Sequence, residues 1–175
     1  MNSRKSKNRK AVLLIELQEK QLSAKLTQRI RRAFSKSKYP GDDRLSPLGD
    51  WAEGRDINRY FTGKRWQRCL QTRDTYMLGP VMLFFLHVDA FSYYLPAYLI
   101  HAIEHCGYTD DIASFFTKRF RPKYFTLSAL TKEQHEVLVD VFIATCHNKD
   151  VKKQAVGYLR RSLRGRAERA FRPPR

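Results

Sequence analysis

Apolar side chains recur along most of the chain at the three- and four-residue intervals of an amphipathic helix, and no segment shows the period-two alternation of a half-buried strand. The first apolar face lies between residues 11 and 34 and consists of Ile15, Leu22, Leu26, Ile30 and Phe34. We predict that this helix ends before Tyr39-Pro40-Gly41, because Pro40 disfavours a helical Tyr39 and Pro-Gly favours a turn. Residues 1–10 hold five basic residues and no acid, so we expect a disordered tail there.

Capping residues divide the middle of the chain into shorter helices. Asp50 is a candidate N-cap for a helix that ends at Gly63, and Asp89 is a candidate N-cap for the apolar segment that follows it. Pro96 lies inside that segment and cannot donate a hydrogen bond to the carbonyl of Ser92. We therefore expect a kink or a helix start at Pro96.

The last third of the chain predicts three more helices. Thr109 or Asp110 can cap a short one. The segment Thr131-Lys132-Glu133-Gln134 has the pattern of a capping box, and the helix that it opens runs to about Cys146. The apolar stripe of the final helix consists of Val151, Ala155, Leu159, Leu163, Ala167 and Phe171.

These elements predict an all-α fold, a single-domain irregular helical bundle of about five to seven helices. A chain of 175 residues is long enough to bury a core of this kind. We divide it into a disordered basic tail at residues 1–10, a helical domain at 11–148 and a basic amphipathic helix with its tail at 149–175.

The net charge of +17 is concentrated at the two ends of the chain. Residues 1–40 hold twelve basic and two acidic residues, residues 151–175 hold nine and one, and the residues between them are nearly neutral. A basic excess confined to the ends predicts contact with a polyanion, and the alternative is that basic ends only keep the protein soluble.

The C-terminal helix supplies the candidate nucleic-acid-binding residues. The arginines among them lie mostly off the apolar stripe, so one helix holds them together. The candidates are Lys152, Lys153, Arg160, Arg161, Arg164 and Arg169. We expect the partner to be a nucleic acid first, or an acidic protein.

The sharpest catalytic motif is His101-Ala102-Ile103-Glu104-His105, which has the H-x-x-E-H spacing of inverted zinc peptidases. On a helix, His101 and His105 share a face and can each give zinc a nitrogen, with Glu104 as the base. A catalytic zinc requires a third protein ligand from a later element, and few acids follow. We expect two ordinary helix histidines, no metal and no cofactor.

Tyrosines and paired aspartates form two further candidate groups. Tyr93, Tyr94 and Tyr98 can line a pocket with their polar tips, although their helical spacing is more typical of a core. Tyr93 is the member least in phase with the apolar face. Asp42 and Asp43 are adjacent carboxylates of the kind that bind Mg²⁺ or Ca²⁺, but a structural turn is favoured.

The cysteines bear on both compartment and chemistry. Cys69, Cys106 and Cys146 are far apart and odd in number, which indicates a reducing compartment. Cys106 and Cys146-His147 can act as nucleophile and base only if the fold brings them together. Five apolar residues before Glu16 are too few for a signal peptide, and the apolar stretch Val81–Ile103 is interrupted by polar residues. We expect a cytoplasmic protein without a membrane span.

Four segments occur in an order that resembles a family of small bacterial proteins classed as a domain of unknown function. They are Tyr39-Pro40-Gly41-Asp42-Asp43, Phe61-Thr62-Gly63-Lys64-Arg65-Trp66, Phe91-Ser92-Tyr93-Tyr94-Leu95-Pro96-Ala97-Tyr98-Leu99 and Leu130-Thr131-Lys132-Glu133-Gln134. The resemblance covers roughly residues 22–148 and implies a stand-alone, mostly helical protein, but no activity. The basic N-terminal extension and the basic C-terminal helix depart from the family pattern.

The sequence therefore predicts a non-enzymatic binding protein whose basic ends contact a polyanion. One alternative is a protein-interaction module of the immunity or accessory kind that acts through the neutral body. A second alternative is a small zinc hydrolase that uses the His101–His105 segment.

Overall fold

The protein is all-α in the computed structural model, as the periodicity predicts. The structure describes residues 2–71, 76–104, 108–117 and 130–170, and the side chains from residue 12 to residue 164 within these ranges. No strand occurs among the described residues. The α-helices are α1 (Asn2–Ala33), α2 (Ala52–Phe61), α3 (Trp66–Cys69), α4 (Val88–Glu104), α5 (Thr109–Ser114), α6 (Lys132–Thr145) and α7 (Lys149–Ala170), and short 3-10 helices span Asp42–Arg44 and Pro80–Phe85.

Helix α4 is the centre of the fold. Thirteen of its 17 residues are buried, because the sequence from Ala90 to Ile103 is apolar or aromatic on every side. The helix continues through Pro96 and does not start there, so of the two expectations only the kink stays a prediction. Burial on all sides explains this, since packing holds the helix where the proline removes one backbone hydrogen bond.

Two tyrosines of α4 place polar tips in the core, and both tips are satisfied by backbone carbonyls. The hydroxyl of Tyr94 donates to the carbonyl of Lys64 at 2.8 Å, with the carbonyl of Phe61 at 3.1 Å. The hydroxyl of Tyr98 donates to the carbonyl of Met77 at 2.8 Å. These bonds fasten the irregular segments on either side of α3 to the central helix.

Helix α1 packs on the body with its C-terminal half only. Leu26, Ile30 and Phe34 are buried there, as their spacing predicts. The helical backbone begins at Asn2, whereas the sequence predicted a disordered tail for residues 1–10. The difference has a simple cause, because no glycine or proline interrupts the first 33 residues and the helix can extend beyond the part that packs.

Helix α1 carries exposed apolar side chains from Val12 to Leu22, before the part that packs on the body. They lie on more than one side of the helix and are 45–60% exposed. The set consists of Val12, Leu13, Leu14, Ile15, Leu17 and Leu22. In the part of the chain that the structure describes, no helix is long and apolar enough to cross a bilayer.

Several helix starts differ from the capping pattern of the sequence. The N-cap of α2 is Trp51 and not Asp50, and the N-cap of α5 is Tyr108 and not Thr109 or Asp110. Asp89 lies in the first turn of α4, where its amide donates to the ring nitrogen of His87. Single polar residues are weak start signals because packing also decides where a helix begins.

Helices α1, α6 and α7 form one layer with α6 in the middle. Arg29 of α1 pairs with Asp140 at 2.6 Å and Arg32 with Glu133 at 3.8 Å, so α1 and α6 are antiparallel. Residues 146–148 turn the chain back into α7, which packs along α6 in the opposite direction. Helices α1 and α7 therefore run in the same direction on either side of α6.

One glutamine joins the start of α6 to the end of α1. The capping box is confirmed, since the amide of Gln134 donates to the Thr131 hydroxyl and the Gln134 Oε1 accepts from the Thr131 amide at 2.8 Å. The Nε2 of Gln134 also donates to the carbonyl of Ala33 at 3.3 Å and to the hydroxyl of Ser37 at 3.2 Å. A buried side chain thus satisfies both helix ends at once.

We expect Gln134→Ala to lower the free energy of unfolding by about 1–3 kcal/mol, because it removes a cap and leaves the buried Ala33 carbonyl with one donor fewer. Urea denaturation of the variant and of Lys132→Ala measures the effect. Lys132 is an exposed neighbour in an i,i+4 pair with Glu136, so its loss should cost only a few tenths of a kcal/mol. Equal losses in both variants would contradict the assigned role of Gln134.

Candidate functional site

The exposed face of α7 carries a row of cations. Lys149, Lys153, Arg160, Arg161 and Arg164 are exposed and Lys152 is half-buried. The helix positions them because the opposite face, with Ala155 and Leu159, is fully buried against the body. From Lys149 to Arg164 the row is about 22 Å long at the rise of an α-helix.

The cations of this row are not paired with acidic side chains. Among the described side chains, none of the six forms an ion pair, and Lys152 donates instead to the carbonyl of Ile143 at 3.2 Å. The row borders an open groove of about 460 Å³ whose floor includes Val156 and Gly157. Asp150 lines a neighbouring groove with Lys153 and Arg161 but forms no ion pair with them, so the row keeps a net positive charge towards a ligand.

The guanidinium of Arg161 lies near Gly157. A Cβ at this position would be 3.4 Å from an Nη atom of Arg161, which is an ordinary van der Waals contact. Lys149 belongs to the same face, although the sequence analysis did not select it. The four-residue spacing between Lys149 and Lys153 is the signal that would have found it. The side chain of Arg169 lies outside the described residues.

A second feature is an open cleft of about 970 Å³ between the end of α1, the loop after it, and the starts of α4 and α6. Tyr39 and Tyr93 line it, with their rings edge to face and the centroids 5.5 Å apart. Of the three tyrosines that the sequence selected, only Tyr93 lines this cleft. Tyr94 and Tyr98 are core residues whose hydroxyls donate hydrogen bonds to backbone carbonyls.

Asp42 organises the loop beside this cleft. Its Oδ1 accepts from the Tyr39 hydroxyl and, at 2.9 Å, from the amide of Gly63, whose φ is +65°. These hydrogen bonds hold the pKa of the Asp42 carboxyl below its ordinary value. The pKa of the Tyr39 hydroxyl is raised above its ordinary value, mainly by burial and then by the hydrogen bond to Asp42. The geometry matches the structural turn that the sequence favoured over a metal site.

Asp110 organises a second turn, between α6 and α7. Its carboxylate accepts from the Cys146 thiol, from the amide of Asn148 at 3.0 Å and from the amide of His147 at 3.3 Å. The side chain of Asn148 then caps α7 by accepting from the amides of Asp150 and Val151 at 3.1 Å. Asp110 is thus a positioning residue for the start of the basic helix, which its place in the sequence does not indicate.

Cys146 is not an activated nucleophile. Burial, first, and the hydrogen bond to Asp110 raise the pKa of its thiol to about 12, so the thiolate is scarce at neutral pH. Burial also raises the pKa of Cys69 to about 12. Cys106 lies outside the described residues, so the nucleophile–base pairing of Cys106 with Cys146-His147, which nothing local in the sequence favours, is not tested.

His101 lies in the core of α4, with 3% of its surface exposed, and its ring stacks on that of Tyr108. Glu104 is exposed at the end of the helix, and His105 falls outside the described residues. Within the described ranges, no group of three or more His, Cys, Asp or Glu side chains is placed to hold a metal ion. The geometry of the first histidine is that of a packed core residue.

Comparison of the chain with protein-family models, with curated proteins and with solved structures finds no match.

We expect Cys69 and Cys146 to be unreactive towards a disulfide reagent such as 5,5′-dithiobis(2-nitrobenzoic acid) at pH 8, because both thiols are buried and protonated. The measurement uses a Cys106→Ala variant, so that only these two thiols are counted. No thiol should react in the folded protein and two should react in guanidinium chloride. Rapid reaction of one thiol before unfolding would contradict this assignment.

We expect Asp42→Asn to reduce the loss of stability in acid. A carboxyl whose pKa is lower in the folded state stabilises the fold above its ordinary value of 3.8, and that stabilisation is lost as the pH falls through the folded pKa. The difference between urea midpoints at pH 7 and pH 3 should therefore be smaller in the variant. Asp43→Asn is the matched control, since Asp43 is an equally exposed neighbour that does not accept the hydrogen bonds of Tyr39 and Gly63, and an equal change there would refute the prediction.

Proposed function

We propose that the protein is a non-enzymatic binding protein that contacts a polyanion, with nucleic acid as the first choice, through the exposed face of α7. The observation that carries the proposal is the row of six cations from Lys149 to Arg164 that lack acidic partners among the described side chains. Phosphate groups bind to Lys and Arg without a shaped pocket, so an open helical face is sufficient.

The length and rigidity of the row support a nucleic acid. About 22 Å corresponds to roughly six steps of 3.4 Å along one strand. The helix is fastened to the body by Leu159 and Ala155 and is capped by Asn148, so the cations are ordered before a ligand arrives. Less conformational entropy is then lost on binding than with a disordered tail.

The charge of the rest of the protein supports the same face. Acids of α6 are engaged by neighbouring cations, Asp140 by Arg29 and Glu133 by Arg32. They therefore do not compete for the arginines of α7. The layer of α1, α6 and α7 presents a positive excess even though the residues between the two ends are nearly neutral.

A second candidate function is a protein-interaction module, and one observation favours it. The exposed apolar side chains of α1 between Val12 and Leu22 form a surface that a protein groove could cover. The interaction surface proposed here is then on α1 and not on the neutral body. Leu13→Ser/Leu17→Ser would weaken such binding while leaving α7 intact.

The variant Arg160→Gln/Arg161→Gln/Arg164→Gln tests the leading proposal. Binding to random duplex DNA and to duplex RNA is measured across a salt series. Each phosphate contact adds about −0.9 to the slope of log K against log salt on DNA, so loss of three contacts should reduce the slope by up to about 2.7 in magnitude. Binding should weaken alike for all sequences, because phosphate contacts carry no sequence information.

The matched control removes three charges elsewhere. Arg55, Arg59 and Arg68 are exposed on α2 and α3, whereas α7 packs on α5 and α6. Arg55→Gln/Arg59→Gln/Arg68→Gln should keep most of the slope. If both triple variants lose the same amount of salt slope, the effect comes from net charge and not from the α7 face. If the unmodified protein does not bind at low salt, the proposal is overturned.

A further inference from the structure

The cleft at the end of α1 contains more positive than negative charge. Its two acids are each engaged by an arginine, Asp89 by Arg44 at 3.1 Å and Glu133 by Arg32 at 3.8 Å. Lys36 and Lys38 line the same cleft, are exposed and form no ion pair among the described side chains. Lys132 also lines the cleft, but it pairs with Glu136 at 3.8 Å, so the unpaired charge of the cleft rests on Lys36 and Lys38.

The helix directions bring this cleft to the same end of the α1–α6–α7 layer as the arginines of α7. Thr131 and Glu133 at the start of α6 line the cleft. Because α7 returns antiparallel along α6 after a three-residue turn, Arg160 to Arg164 lie level with the start of α6. The hydrogen bond from Lys152 to the carbonyl of Ile143 aligns the start of α7 with the end of α6.

The distance between the two positive regions is set by helix packing. Helix α6 packs on both α1 and α7, and packed helices are about 8–10 Å apart, so the axes of α1 and α7 are up to roughly 16–20 Å apart. A polyanion that fills the 22 Å row of α7 must extend beyond it to reach the cleft. Two regions at this spacing can contact one ligand without a hinge.

We infer that the cleft is a second phosphate-binding site for the same nucleic acid, with Lys36 and Lys38 as its contacts. The inference rests on the proposed function and specifies how much of the nucleic acid the protein contacts. A short ligand occupies the α7 row alone, and a longer one occupies both sites. Residues of the cleft are then needed only for the longer ligand.

The test combines two DNA lengths with two variants. The probes are a hairpin with a seven-base-pair stem, about 24 Å long, and an 18-base-pair duplex, about 61 Å long. Lys36→Gln/Lys38→Gln should leave hairpin binding unchanged and should reduce the salt slope for the duplex by about one to two in magnitude. The hairpin thus reports on α7 and the duplex on both sites.

The matched control is Lys20→Gln/Lys25→Gln. These lysines are exposed on α1, which precedes the segment of Lys36 and Lys38, and the pairing of Arg29 with Asp140 places them further from the cleft. The control should behave like the unmodified protein on both probes. If it loses as much duplex binding as Lys36→Gln/Lys38→Gln, the effect is one of net charge and the inference fails.

The remaining outcomes separate this inference from the proposed function. If Lys36→Gln/Lys38→Gln binds both probes like the unmodified protein while the triple arginine variant does not, the cleft is not a contact and the function of α7 stands. If Lys36→Gln/Lys38→Gln weakens both probes equally, the two-site footprint is wrong. If the unmodified protein binds neither probe, both proposals fall together.

Discussion

The burial of α4 on all sides is the constraint on which the rest of the structure depends. A helix with apolar side chains around its whole circumference must be covered on every face, and the other elements are arranged as that cover. Tyr94 and Tyr98 make the same helix a source of hydrogen bonds, because each hydroxyl in the core needs an acceptor. The acceptors are loop carbonyls, so the centre of the protein also fixes its irregular segments.

The same constraint explains why three separated segments of the sequence meet. Asp42 and Tyr39 bond to the amide of Gly63, and the hydroxyl of Tyr94 bonds to the carbonyl of Lys64. Gly63 can take part because its positive φ suits a residue without a side chain. The segments around residues 40, 63 and 94 are therefore one structural unit, and their polar groups serve the fold.

The basic excess of the two chain ends lies on the layer of α1, α6 and α7, away from the polar groups that the core and its turns use. The inner faces of α6 and α7 cover the body, and their outer faces are open to solvent. Acids of α6 are neutralised by α1, while the cations of α7 keep their charge. The two faces therefore do different things. Burial of apolar side chains holds the layer against the body, and the unpaired cations of α7 attract phosphate.

The sequence by itself determined the helical class, the capping box at Thr131, the part of the α1 face from Leu26 to Phe34 that packs, and the basic residues of α7, whereas Ile15 and Leu22 of the same predicted face are exposed. These features depend on periodicity and on contacts between residues within one or two turns. Only the tertiary structure decided that α4 passes unbroken through Pro96, that Gln134 reaches Ala33, and that Lys36 lies at the same end as Arg164. Each of these depends on residues distant in the chain. Local spacing carries no information about which distant group will cover a face or accept a hydrogen bond.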